Sequence, residues 1–376
     1  MPTPAYSTID LARLGWYEQV QWNKLTPKDI GTFDEHGMNF LHYASKDGRW
    51  QNLPLELRDK KHWKLSKSGN SVIMFAFQGA NNSWVDPEDL TEKELLRKNN
   101  KGESIISMLV NKGQIQRLPK SCITENILRE QYMKVDLKTR ISYQESIIHL
   151  IAKKDQIKHI PTSLLNENLL SIPGNYGETV YHILAERCQI HLLHPDTLTK
   201  RALTIENAYG VNPLVAMAEQ QPQLIPKELK TAKYLYEDYL PKDKTAFQSR
   251  ESPLQAWAAG KHWEDIPSSL LNKKSVSIGS PDSPIDHILK NYAEETKSVH
   301  SMRGELIAKV TKLLELVDTD ELKRLKNQEE EKESLRLIDV VNLRYSPANL
   351  IKKELGKRAV VKSLHKGKHQ EEIIDV

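Results

Sequence analysis

Three histidines come first as candidates for chemistry. His42, His149 and His182 lie about 33 residues apart, or a multiple of that. If the chain stacks equal units, residues so spaced stand side by side, and adjacent imidazoles could ligate a metal. A metal site needs a full ligand set, and no second ligand type recurs beside these three. A packing role fits them better. Cys122 and Cys188 are the only thiols. E-R-C-Q-I-H (186–191) offers Cys188 a nearby His191, but no organised base or oxyanion element accompanies it. No phosphate-cradling glycine loop, dinucleotide fingerprint or H-E-x-x-H zinc pair occurs. No catalytic, cofactor-binding or metal-binding residue is therefore expected, and the chain reads as a non-enzyme.

The elements that carry these residues are periodic. Pro54, Pro87, Pro119, Pro161, Pro195, Pro226 and Pro267 are spaced by 33, 32, 42, 34, 31 and 41 residues. Gly37, Gly69, Gly102, Gly177 and Gly210 each precede one of these prolines by 16 to 18 residues, and Gln144 takes the glycine position of one further copy. Between the markers the columns keep their chemistry. Leu57, Leu90, Cys122, Leu164, Leu198, Leu229 and Leu270 form one column; Ala152, Ala185, Ala218 and Ala258 form another. The physical reading is a helix–turn–helix unit. Glycine supplies a tight turn at positive φ, a short apolar helix follows, and proline opens a second helix where its missing N–H is harmless. Thr or Asn then caps another turn, as in L-T-E-K-E-L (90–95). One such unit cannot bury its apolar face alone, but a stack can.

F-D-E-H-G-M-N-F-L-H-Y-A-S-K-D-G (33–48) is the copy that resembles a known family best. With a period near 33 and G-x-x-x-L-H-x-A, the chain resembles the ankyrin repeats, in a divergent branch marked by I-P-T-S-L-L (160–165) and I-P-S-S-L-L (266–271). The resemblance spans about residues 4–292. It implies an all-α, ankyrin-like helical solenoid of about eight units, in which the histidine column hydrogen-bonds between neighbouring turns. It also implies a non-enzymatic scaffold that binds a partner protein on its concave face, in a bacterial, phage or host-directed effector setting.

The expected domains are an array over 1–292, with an atypical cap at 4–32, and a helical, charged extension over 293–376. Val299, Met302, Leu306, Val310, Leu313 and Val317 make one helical stripe in that extension. Insertions fall near 132–140 and 240–248, where loops or longer helices are expected, and insertions often mark a binding face. Candidate partner-binding residues are Trp16, Trp22, Trp84, Lys134, Lys138, Arg140, Lys242 and Lys244. Trp50, Trp63 and Trp263 fall in apolar columns and read as core. The alternative is a basic tail, with Arg344, Lys352, Lys353, Lys357, Arg358 and Lys362 meeting nucleic acid or an anionic membrane. The net charge of +4 is too balanced to imply nucleic acid by itself. Two cysteines suit a reducing compartment. M-P-T-P-A-Y-S-T-I-D (1–10) shows no basic and apolar leader pattern, and no apolar run of about 18 residues is present. A cytoplasmic protein is expected, with delivery into a host cell as one setting.

Overall fold

Seven-residue helices are too short to be stable alone in water, so their repetition already demands a stack. The computed structural model describes residues 6–79, 82–135, 142–239, 251–276, 283–298, 304–334 and 347–358. Its fold is an almost entirely α-helical solenoid of tandem repeats, with one two-stranded hairpin among the described residues. The cap opens with α1 (Thr8–Arg13). The first helices of the repeats follow: α2 (Phe40–Lys46), α3 (Val72–Gln78), α4 (Ile105–Asn111), α5 (Ile147–Lys153), α6 (Val180–Glu186), α7 (Pro213–Gln220) and α8 (Pro253–Ala259). Strands β1 (Gln131–Val135) and β2 (Ser142–Ser146) stand between α4 and α5. The chain ends in α9 (Pro284–Ser298), α10 (Gly304–Leu316), α11 (Thr319–Ser334) and α12 (347–358). Two compact units make up the chain, Met1–Ile183 and Leu184–Val376, divided inside α6.

The sequence columns become layers of the core. Gly37, Gly69, Gly102, Gly177 and Gly210 all adopt positive φ, from 66° to 79°. Gln144 lies instead in β2, where extended backbone needs no glycine. Leu53, Leu118, Ile160, Ile225 and Ile266, each just before a proline, are buried, as are Ala152, Ala185, Ala218 and Ala258. Trp50 and Trp263 are core residues. Cys122 is half-buried, as is Leu164 of the same column, and its Sγ lies 4.0 Å from the carbonyl oxygen of Pro87.

The second half of each unit differs from a helix opened by proline. Pro54, Pro119, Pro161, Pro226 and Pro267 stand at the head of a three-residue 3-10 turn, and Pro87 and Pro195 form its first residue. The α-helix starts only afterwards, behind Thr91, Thr124, Asn166 or Thr199, whose side chains accept the N–H three residues on. These helices hold four or five residues. Proline fixes φ and removes a donor, so it favours a tight turn here without extending it.

In the first unit, neighbouring repeats are joined at their turns. The amide of Lys67 donates to the carbonyl of Gly37 at 2.9 Å, and that of Asn100 to Ser68 at 3.0 Å. Asn99 Nδ2 donates to Asn70 Oδ1 at 2.8 Å. First helices also meet closely. A Cβ on Gly79, the residue after α3, would lie 1.8 Å from the carbonyl oxygen of Lys46 in α2. Gly260 stands in the same relation to Glu219 in the second unit, at 2.2 Å.

The second unit closes with the C-terminal helices. Asn291 Nδ2 on α9 donates to the carbonyls of Ala258 and Ala259 at 3.0 and 3.2 Å, satisfying the end of α8. Arg324 on α11 bonds Asp286 on α9 at 2.7 Å and Glu321 on its own helix at 2.5 Å. Of the expected stripe over 299–317, Val299 and Met302 lie outside the described residues, while Val310, Leu313 and Val317 are buried. α11 buries Leu322 and Leu325 despite its charge. No helix among the described residues is long and apolar enough to cross a membrane.

Candidate functional site

The first insertion builds the site. It forms a hairpin rather than a loop or a longer helix. β1 and β2 pair antiparallel from Gln131↔Ser146 to Val135↔Ser142. β2 runs directly into α5, and the amide of Ile147 donates to the carbonyl of Glu130 at 2.9 Å, closing the base of the hairpin. Asn111 at the end of α4 donates to the Tyr132 hydroxyl at 3.3 Å. Lys98 pairs with Glu130 at 3.2 Å. The hairpin is thus tied to the preceding repeats on one side and to α5 on the other.

A pocket of about 420 Å³ opens where the hairpin, α5 and the following turn meet. Tyr132 and Glu145 come from the hairpin, Leu150, Lys153 and Lys154 from α5, and Asn175, Tyr176 and Glu178 from the turn. Lys153 clasps the three elements. Its ammonium bonds Glu145 and lies 3.5 Å from Glu178, while Asn175 Nδ2 donates to Glu145 Oε1 at 3.2 Å. Both carboxylates share one cation, so this part of the pocket wall is held by charge.

Tyr176 is the unusual residue. Its φ is 54°, and Gly177 follows at 73°, so two consecutive residues are left-handed. A tyrosine in that region is strained by about 1–2 kcal/mol. Such strain gathers at functional positions, where the surroundings hold it. The ring is half exposed at 50%. Tyr132 and Tyr176 together offer rigid, amphipathic rings, the side chains that supply contact area at little entropic expense.

The histidine column anchors the same region. His149 Nδ1 lies 2.6 Å from Ser146 Oγ at the head of α5, and its Nε2 lies 3.0 Å from the carbonyl oxygen of Ile172. His42 repeats this arrangement, accepting from the Asn39 amide at 2.9 Å and reaching Lys64 O at 2.9 Å. His182 Nδ1 accepts from the Thr179 amide at 3.1 Å. At His42 and His149 both ring nitrogens are engaged, one capping its own helix and the other linking to the next turn. Burial pushes both imidazoles below their ordinary pKa.

The sequence candidates are scattered. Trp16 is 38% exposed and meets the exposed Tyr6 edge-on at 5.4 Å in the cap. Trp22 is half-buried and stacks on Tyr17 at 6.0 Å. Trp84 is half-buried and stacks on Trp50 at 4.0 Å, with Trp63 edge-on to both. Lys134 lies in β1, beside the pocket's Tyr132 in sequence. Lys138, Arg140, Lys242 and Lys244 lie outside the described residues. In the tail, Arg358 donates to the carbonyls of Leu314 and Glu315 at 3.2 and 3.0 Å, at the end of α10. Lys357 pairs with Glu354 at 3.2 Å and Glu315 at 3.7 Å. Lys352 and Lys353 are exposed, while Arg344 and Lys362 lie outside the described residues. The sequence reading missed Tyr132, Glu145, Lys153 and Tyr176. Tyr176 left no trace in the sequence, because its column also holds Tyr143 and Tyr209 beside His36, Ser68 and Lys101.

No family model and no curated protein matches the chain. Among solved structures it is similar, at 18% identity and a TM-score of 0.33, to a chain in the structure of the predatory endopeptidase Bd0816 from Bdellovibrio bacteriovorus in complex with immunity protein Bd3460, over 49% of this chain and 91% of that one. It is also similar to the ankyrin repeat domain of Bcl-3, a member of the IkappaB protein family, at 14% identity and a TM-score of 0.30, over 55% of this chain and 87% of that one.

Proposed function

We propose that this chain is an ankyrin-type scaffold that binds another protein, acting by recognition rather than catalysis, and that the pocket between the hairpin and the Asn175–Gly177 turn takes part of the partner. The observation that carries this reading is the strained, half-exposed Tyr176, which lines one pocket together with Tyr132 and the Lys153–Glu145 pair. The tandem helical repeats support it, since such stacks expose long surfaces made from equivalent turns. Cys122 and Cys188 are both free thiols, which suits a reducing, cytoplasmic setting, including that of an effector inside a host cell.

A tail-led reading, with nucleic acid or an anionic membrane as partner, has less support. Arg358 is turned to backbone carbonyls and Lys357 to carboxylates. The scaffold reading is tested by affinity capture from the native cell with the wild-type chain and with Tyr176→Gly. A protein held by the first and lost from the second supports it. A partner held equally by both refutes the role of the pocket.

A further inference from the structure

We infer that the proline-led halves of the repeats in the second unit form a second interaction surface, for an acidic polypeptide segment. This surface is separate from the pocket and stands or falls independently of it.

The charge of these halves changes along the chain. In the first unit the four segments 54–63, 87–96, 119–128 and 161–170 hold Arg58, Lys60, Lys61, Lys93 and Lys120 against Glu56, Asp59, Glu88, Asp89, Glu92, Glu94, Glu125 and Glu167. Five basic residues face eight acidic ones. In the second unit the segments 195–204, 226–235 and 267–276 hold Lys200, Arg201, Lys227, Lys230, Lys233, Lys273 and Lys274 against Asp196 and Glu228, seven to two.

Side-chain partners differ in the same sense. In the first unit adjacent repeats are joined by opposite charges, as where Lys60 pairs with Asp89. In the second, Lys200 from one repeat comes to Tyr234 of the next, its Nζ 4.8 Å from the ring centroid, and Lys233 comes to the same ring at 5.6 Å. Two cations thus gather at one aromatic side chain. Burial holds the Lys230 ammonium below its ordinary pKa, Asp265 opposes that shift, and Lys227 adds to it. Among the described residues, Lys200, Lys227, Lys230 and Lys233 enter no ion pair. Lys200, Lys227 and Lys233 are exposed. Asp265 lies near Lys230, but positive charge outweighs negative across these segments, an arrangement that opposes folding and attracts an anionic partner.

The chemistry favours carboxylates over nucleic acid. Single strands are held by stacking their bases on open aromatic faces. Tyr234 is the one aromatic residue in these three segments, and lysines approach it from two repeats.

The test uses the full chain, a labelled oligoglutamate peptide, a single-stranded oligonucleotide of equal charge, and phosphatidylserine-containing vesicles. The variants are Lys200→Glu/Lys227→Glu/Lys233→Glu and the neutral Lys200→Gln/Lys227→Gln/Lys233→Gln, with helicity and melting checked for each. All three positions are exposed, so both variants are expected to fold. The peptide should bind the wild type, weaken by about tenfold in the glutamine variant and more in the glutamate variant, and weaken with added salt. Tighter binding of the oligonucleotide or the vesicles than of the peptide overturns the assignment. So does a peptide that fails to bind, or one that binds all three proteins alike.

Discussion

His149 Nε2 lies 3.0 Å from the carbonyl oxygen of Ile172, joining the first helix of one repeat to the turn that opens the next. The same link runs from His42 to Lys64. His42 and His149 thus act as staples, each capping its own helix and reaching across to the next turn.

Loss of a staple should be felt as two buried groups left unpaired. His149→Ala is expected to lower stability by about 1–3 kcal/mol, read as a lower midpoint in denaturant with circular dichroism as the probe. The retention of full stability would show that the Ser146 and Ile172 contacts contribute nothing.

The same staples set an acid limit. Burial lowers the pKa of His42 and His149 below the ordinary 6.5. The unfolded chain therefore takes up protons near pH 6.5 that the folded chain refuses. Their contribution is complete above that pH and is lost as pH falls through the folded-state values. His42→Gln/His149→Gln removes both titrating groups, so melting temperature should fall less steeply between pH 7 and pH 5 than in the wild type. An unchanged slope would contradict the assignment.

Close approach of consecutive first helices makes Gly79 irreplaceable on steric grounds. Its Cβ in Gly79→Ala would meet the Lys46 carbonyl oxygen at 1.8 Å, and a backbone atom cannot swing aside. The expected loss is about 1–3 kcal/mol or more, measured by chemical denaturation. A neutral outcome would mean that α2 and α3 can separate freely.

Cys188 offers the opposite case. It is exposed and left-handed at φ 56°, two residues beyond α6, where Gly48 and Gly113 follow their own helices at 70° and 71°. Cys188→Gly should raise stability by about 0.5–1 kcal/mol, since relief of the left-handed strain exceeds the added chain entropy. A fall in melting temperature would show that the thiol's contact with Gln220, at 3.8 Å, matters more than the strain.

Much of the fold was legible because its devices are local. Gly37 and its four counterparts need positive φ, and Leu53 and its counterparts need burial, so each leaves a fixed residue type at a fixed spacing. The proline column was legible as a marker but not as a conformation, because proline suits a 3-10 turn and a helix start alike. The hairpin was legible only as a length. Q-Y-M-K-V and S-Y-Q-E-S carry no clean apolar alternation, the pattern that marks a half-buried strand. The pocket could not be read at all in advance: Tyr132, Lys153 and Tyr176 belong to three elements, and only the folded hairpin brings them together.

Tyr176→Gly is the most direct probe of the central claim. It removes the ring while relieving the left-handed strain, so the variant should melt no lower than the wild type. Capture from the native cell, with each protein immobilised as the full chain, then isolates recognition from folding. The account predicts one protein retained in stoichiometric amount by the wild type and lost, or released about tenfold faster, with Tyr176→Gly. Retention of that protein with unchanged release, or no protein retained by the wild type, would contradict it.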